Sequence, residues 1–192
     1  MDLFYKEIDK KLAAETVWDH HYLHRKPPIS WAWGAYRGDK LVGVLTVGKP
    51  PSPSLLRGVV GESREQSKRP NSRSRDVFEL SRLWMHDDLG KNSESKFIGW
   101  VLREIRRSRP TTILVSYADI ARGHLGVVYQ ACGWLYTGLS AAFTDINPDG
   151  SRTPRTRKHR YVWLANPLDR RILGWKILPY PKRLTDDNLV IV

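Results

Sequence analysis

The chain has a single cysteine, Cys132, among its 192 residues. One thiol can build neither an intramolecular disulfide framework nor a zinc ribbon, which fits a reducing compartment such as the cytosol. No apolar run approaches the ~20 residues that cross a bilayer. The opening MDLFYKEIDKKL lacks the basic-then-apolar pattern of an export signal. A membrane role and secretion are therefore not expected, and the cytoplasm is the expected site of action. Acidic residues are also scarce: 20 Asp and Glu stand against 32 Lys and Arg, a formal charge of +12. Such an excess suggests a polyanionic partner, because cations on phosphates release condensed counterions. Nucleic acid is the first candidate, and solvated basic faces are the alternative.

The length suits one domain with a real core, since a domain takes roughly 100–200 residues. Eight Trp and eight Tyr exceed what packing needs, so some are expected to stack on bases or line a cleft. Residues 4–18 place Phe4, Ile8, Leu12 and Ala13 at helical spacing, which predicts one amphipathic helix ending before HHYLHRKPP. Two apolar runs joined by Arg37-Gly38-Asp39-Lys40 predict a hairpin. Residues 52–76, rich in Ser, Pro, Arg and Lys, read as a long mobile basic loop.

VFELSRLWMHDD then predicts a strand, and LGKNSES opens a helix whose apolar face is Phe97, Ile98, Val101, Leu102 and Ile105, with Pro110 as its stop. TTILVSYAD reads as a buried strand, HLGVVYQACG as a short helix closed by Gly133, and WLYTGLSAAFTDI as another strand. Residues 147–160 form a second basic loop, YVWLANP a last strand. The expected fold is mixed α/β (α+β): one largely antiparallel central sheet flanked by helices. A catalytic domain is expected over residues 1–166. Residues 167–192 form a tail whose Trp175, Ile177 and Leu178 suggest packing on the sheet or on a partner.

Chemistry is expected first at the strand, loop and helix start around residues 77–96. The unpaired first-turn amides and the positive dipole end hold an anion there. Gly90 allows close approach, Lys91 adds charge, and Asn92, Ser93 and Ser95 can bond a phosphate; an ordinary N-cap reads equally from N-S-E-S. The strand order, with Tyr129 four residues before Gly133 and Trp134, resembles the GNAT acyltransferase fold. In that fold a helix tyrosine protonates the departing thiolate of acyl-CoA, a role that falls on Tyr129. The GKNSES loop departs from the commoner Gly-rich loop.

Taken together, HHYL, ELSRLWMHDD, GKNSES, SYAD and GHLGVVYQACGW resemble the Mom family of phage DNA-modifying proteins over about residues 18–140. The resemblance implies addition of a carbamoylmethyl-type group to adenine N6, from acetyl-CoA, protecting phage DNA from restriction. It places catalytic roles on His21, Tyr22, Asp119 and Tyr129, and acyl-CoA contacts on Arg82 and Ser95. A carboxylate can orient an imidazole, a histidine can take a proton from an attacking amine, and an arginine can hold phosphate in a fork.

Adenine N6 is a poor nucleophile, because its lone pair is delocalised into the ring, so its modification needs a positioned base or an activated donor. A bond to the acetyl-derived methyl carbon also lies outside ordinary acyl transfer. The resemblance therefore brings iron into consideration, with His21 and Asp119 as two arms; no HExxH or spaced Cys/His cluster accompanies them.

Double-stranded DNA is the expected partner, with base flipping and a stacking residue among Trp31, Trp33, Tyr36 and Trp84. Backbone contacts are expected from Arg64, Lys68, Arg69, Arg73 and Arg75, and from Arg152, Arg155, Arg157, Lys158 and Arg160. Homodimerisation stays open. Two other readings also stay open: a conventional N-acetyltransferase on a small amine or protein, and a non-catalytic nucleic-acid-binding protein.

Overall fold

The computed structural model describes residues 3–20, 26–146 and 149–182. Strand β1 (Phe4–Glu7) comes first, and Asp9 then starts helix α1 (Lys10–His20) by accepting the Lys11 amide at 2.8 Å and the Leu12 amide at 3.2 Å. The single helix expected over residues 4–18 is thus a strand and a helix. Phe4 stacks on Tyr36 while Tyr5 stacks on Phe97, so successive side chains face opposite ways and the period of two prevails. Ala13 and Val17 are the buried positions of α1, and Leu12 faces solvent.

The hairpin forms as expected from β2 (Trp31–Arg37) and β3 (Lys40–Gly48), with Arg37 opposite Lys40. Residues 52–76 are not an irregular mobile loop. They contain α2 (Pro53–Val59), capped by Ser52, and 3-10 turns at Gln66–Lys68 and Arg73–Asp76. Val59 and Val60 are buried, and Glu62 accepts from the Ser72 hydroxyl at 2.6 Å and the Arg73 amide at 2.7 Å. Arg73 pairs with Asp76 and, at 2.6 Å, with Asp169, whose side chain is 6% exposed. Two buried valines and these paired charges order a segment whose composition suggested none.

The remaining elements are β4 (Val77–Met85), α3 (Ser93–Ser108), β5 (Ile113–Asp119), α4 (Val127–Ala131), β6 (Leu135–Leu139), β7 (Phe143–Ile146), β8 (Arg152–Arg155) and β9 (Lys158–Leu164). The strand expected over WLYTGLSAAFTDI is therefore two, and the second basic loop holds β8 and the start of β9. β7 and β8 pair as a separate ribbon. The main sheet runs β1-β2-β3-β4-β5-β9-β6, antiparallel except between β4 and β5.

Helices α3 and α4 cover one face, where Phe97, Ile98, Val101 and Ile105 meet Trp33, Leu45, Leu80 and Leu114. Helices α1 and α2 cover the other: Ala13 and Val17 lie with Ala32 and Val44, and Val59 and Val60 with Val77, Ile113 and Val162. The C-terminal segment packs on the sheet. Gly174 donates to the Val59 carbonyl, Arg160 lies 3.4 Å from the Trp175 ring centre, and the Leu178 amide donates to the Tyr136 carbonyl on the edge strand β6.

Removing Arg73 leaves the Asp169 carboxylate buried without its partner. Arg73→Ala is expected to lower the unfolding free energy in urea by roughly 2 kcal/mol. Arg64→Ala, at an exposed position, is expected to change it by less than about 0.5 kcal/mol.

Candidate active site

β4 and β5 pair over three positions only, Val77 with Ile113, Phe78 with Leu114 and Glu79 with Val115, and then part. A bulge contributes to the parting: Thr46 of β3 faces Arg82 and Val47 faces Leu80, so Ser81 is an extra residue that bends β4. At the fork the Ser116 hydroxyl lies 2.8 Å from the Leu80 carbonyl oxygen and 2.8 Å from the Tyr129 hydroxyl. The serine has one proton, so when it donates to Leu80 it accepts from Tyr129. Beyond the fork lies a cleft of about 630 Å³.

Strand alternation lines this cleft with side chains from both faces of the sheet. Ser116 and Ala118 face the α3/α4 layer, where Tyr129 packs against Trp134 and Tyr161 at ring distances of 5.1 and 5.3 Å. Tyr117, on the opposite face, joins the cluster under α2, and Glu79 shares the face of Val77 in that cluster. Helix α4 is seated by Gly126, which has a φ of 74°; a Cβ there would stand 2.4 Å from the Tyr161 ring. Tyr161 donates to the Leu125 carbonyl beside it and accepts from Gln130 at 3.0 Å.

Burial raises the Glu79 carboxyl above its usual range, although Arg82 and Lys158 pull it down. Burial, and then the charge of Glu79, raise the Tyr117 phenol. Asp119, expected to be catalytic, stands at the end of β5: it accepts the Ala121 amide at 3.1 Å and pairs with Lys158 at 3.2 Å. His20 stacks on Trp84 with ring centres 4.3 Å apart, and both line the cleft. Of the four aromatics expected as stacking candidates, Trp84 alone lines it. Trp33 is in the core, Trp31 packs on Phe78 and Arg109, and Tyr36 on Phe4.

The expected anion loop is open at Gly90 and Lys91, and Asn92 precedes α3 with a φ of 67°. Ser93 and Ser95 do not cap the helix: their hydroxyls donate to the carbonyls of Gly90 and Asn92. The first-turn amides therefore receive no side-chain cap, and a helix start of that kind holds a phosphate. Past Glu79 the β5-facing edge of β4 has no strand partner, which suits an extended amide-bearing ligand. Arg82 lines the same cleft and donates to the Ser81 carbonyl at 2.6 Å. The residues present thus fit an acyl-CoA.

His21 and Tyr22 lie outside the described residues. Among the described residues no three His, Cys, Asp or Glu side chains gather as a metal site, and His21, one expected arm for iron, lies outside them. Among the basic residues, Arg73 is taken up by Asp76 and Asp169, and Arg160 by Thr137 and Trp175. Arg157 donates to the Ser140 carbonyl, and Lys68 pairs with Glu65. Arg64, Arg69, Arg75 and Arg152 are exposed.

The profile of the Mom protein family matches residues 2–154. The chain belongs to the Mom protein family. Among its Mom relatives is the protein described as methylcarbamoylase mom of Escherichia phage Mu, 30% identical over 89% of this chain and 80% of the relative. Solved structures add the fold. A GNAT-family acetyltransferase from Streptococcus pneumoniae is 11% identical, with a TM-score of 0.53 over 85% of this chain and 99% of its own. A putative acetyltransferase from Salmonella typhimurium, solved with its cofactor acetyl-CoA, is 10% identical with a TM-score of 0.52, covering 86% and 95%. This Mom-family chain has the GNAT fold, and no helix among its described residues is long and apolar enough to cross a membrane.

Sequence reasoning missed Glu79, Ser116, Tyr117 and His20. The first three share one signal, polar groups inside otherwise apolar strands; His20 directly precedes the expected His21 in the same His-rich stretch. Gly126→Ala is expected to push α4 off Tyr161 and lower the unfolding free energy by roughly 2 kcal/mol, read by thermal melting, with loss of CoA binding by titration calorimetry.

Proposed function

We propose that the chain is a DNA-modifying transferase that adds a carbamoylmethyl-type group to adenine N6 in double-stranded phage DNA. It draws on acetyl-CoA and acts in the host cytoplasm, where the altered base shields the DNA from restriction. Membership of the family that includes the phage Mu methylcarbamoylase carries this reading, and the forked cleft supports it. Bound acetyl-CoA would supply the two carbons, its thiol leaving as an ammonia-class co-reactant forms the amide, and the bond from N6 to the methyl carbon would form with loss of one methyl hydrogen and two electrons to an oxidant. Its pyrophosphate is assigned to the α3 start with Gly90, Lys91, Asn92, Ser93 and Ser95, and to Arg82.

Tyr129 donates a proton at the α3/α4 mouth, and the Ser116 hydroxyl, bonded to it, holds its oxygen in place. His21, oriented by Asp119, takes a proton from the modified amine, with Tyr22 beside it. The His20–Trp84 stack forms a wall for a flipped base. Arg64, Lys68, Arg69, Arg75, Arg155 and Arg157 contact phosphates, and Lys158 keeps Asp119 in position.

The test is mass spectrometry of nucleosides from DNA of cells making the protein. A modified deoxyadenosine is expected from the wild type and none from His21→Ala. Tyr129→Phe should lower it by about a hundredfold, and His24→Ala should change it little. Unmodified deoxyadenosine alone from the wild type, with thiol release from acetyl-CoA and a small amine in the absence of DNA, would overturn the reading in favour of a conventional acetyltransferase.

A further inference from the structure

Between α2 and the turns that precede β4 lies a second cavity, of about 330 Å³, which shares no lining residue with the cleft. Lys49, Arg57 and Arg75 line it together with Ser67 and Ser74, and none of its lining side chains is acidic. Lys49 is already committed. Its ammonium donates to the Arg75 carbonyl and, at 3.0 Å, to the Val77 carbonyl, and it lies 3.6 Å from the Phe78 ring centre. The serine protons are committed as well. Ser67 donates to the Arg64 carbonyl at 2.8 Å, and because Ser72 donates to Glu62, the proton in the 2.6 Å contact between Ser72 and Ser74 is that of Ser74.

The two arginines are not committed. Among the described residues neither the half-buried Arg57 nor the exposed Arg75 has a hydrogen bond or an ion pair through its guanidinium. The carboxylates of the same segment are engaged elsewhere: Glu62 with Ser72 and the Arg73 amide, Asp76 with Arg73 and Thr111. Asp76 acts on Lys49 through its charge, which leaves the guanidiniums as the uncompensated charge of the cavity.

We propose that this cavity anchors one phosphate of the DNA backbone, held by Arg57 and Arg75 together. The proposal rests on the reading that the chain acts on DNA. A guanidinium presents forked donors that match phosphate oxygens, and Lys49 steadies the turn from which Arg75 projects. Position favours DNA over CoA as the source of the phosphate. Helix α2 covers the face of the sheet that carries Glu79 and Tyr117, two lining residues of the cleft. Val77, an acceptor of Lys49, stands two strand positions, roughly 7 Å, from Glu79. The α3 start, assigned to the CoA pyrophosphate, belongs to the opposite layer. A strand whose base enters the cleft from the α2 side lays a neighbouring phosphate at the cavity.

The test is duplex binding by fluorescence anisotropy across a potassium chloride series. Arg57→Gln and Arg75→Gln should each weaken binding, and the double variant should fall short of the product of the two losses by about threefold or more, because both side chains hold one group. The double variant should lower the slope of log affinity against log salt by about 1, where two independent phosphates would give about 2. The double Arg→Lys variant should keep the slope, since both charges remain.

An unchanged slope in the double Gln variant, losses that simply multiply, or a wild type that binds no duplex overturns the anchor. Calorimetry with CoA and dephospho-CoA separates the other source of phosphate. A double Gln variant that binds CoA only as well as wild type binds dephospho-CoA assigns the cavity to the terminal phosphate of CoA and overturns the proposal. A wild type that yields no modified deoxyadenosine, while the double Gln variant still lowers the slope, overturns the proposed chemistry and leaves the anchor standing.

Discussion

The hydrogen bond from Ser116 to the Leu80 carbonyl is the contact on which the site depends. It ends the β4–β5 ladder with a side chain in place of a backbone amide, so the polar group at the fork stays satisfied while the strands separate. Because the same hydroxyl meets Tyr129, the place where the sheet opens also fixes the residue that faces the opening. The Ser81 bulge supports the parting from the other side, and the Tyr161 ring under Gly126 sets how closely α4 approaches.

Much of this was legible in the chain. The hairpin, the α3 apolar face, the strand into SYAD and the short helix closed by Gly133 all follow from local pattern, and they suffice to identify the fold class. The fork did not follow from pattern, because it depends on where two strands stop pairing, and a serine inside an apolar strand does not by itself mark that place. Residues 4–18 misled because Phe4 and Ile8 keep helical spacing while tertiary contacts of Phe4 and Tyr5 demand a strand. Residues 52–76 misled because composition averages over Val59 and Val60, the two side chains that anchor them.

The surplus of cations and aromatics is also smaller than the totals suggest. Arg106 lies over Trp163, Arg109 over Trp31 and Arg160 over Trp175, and Lys49 lies over Phe78. These pairs cement the layers by placing a charge on a ring face. Three of the eight tryptophans, Trp33, Trp134 and Trp163, are core. Among the described residues Arg64, Arg69, Arg75 and Arg152 stay exposed, and Trp84 is the tryptophan that lines the cleft.

A cleft at the parting of two strands has walls from both faces of the sheet. Tyr129 of α4 lines it on one side and His20 of α1 on the other, so the two walls belong to separate packing layers. A substitution in one layer can therefore reshape one wall while the opposite wall keeps its support.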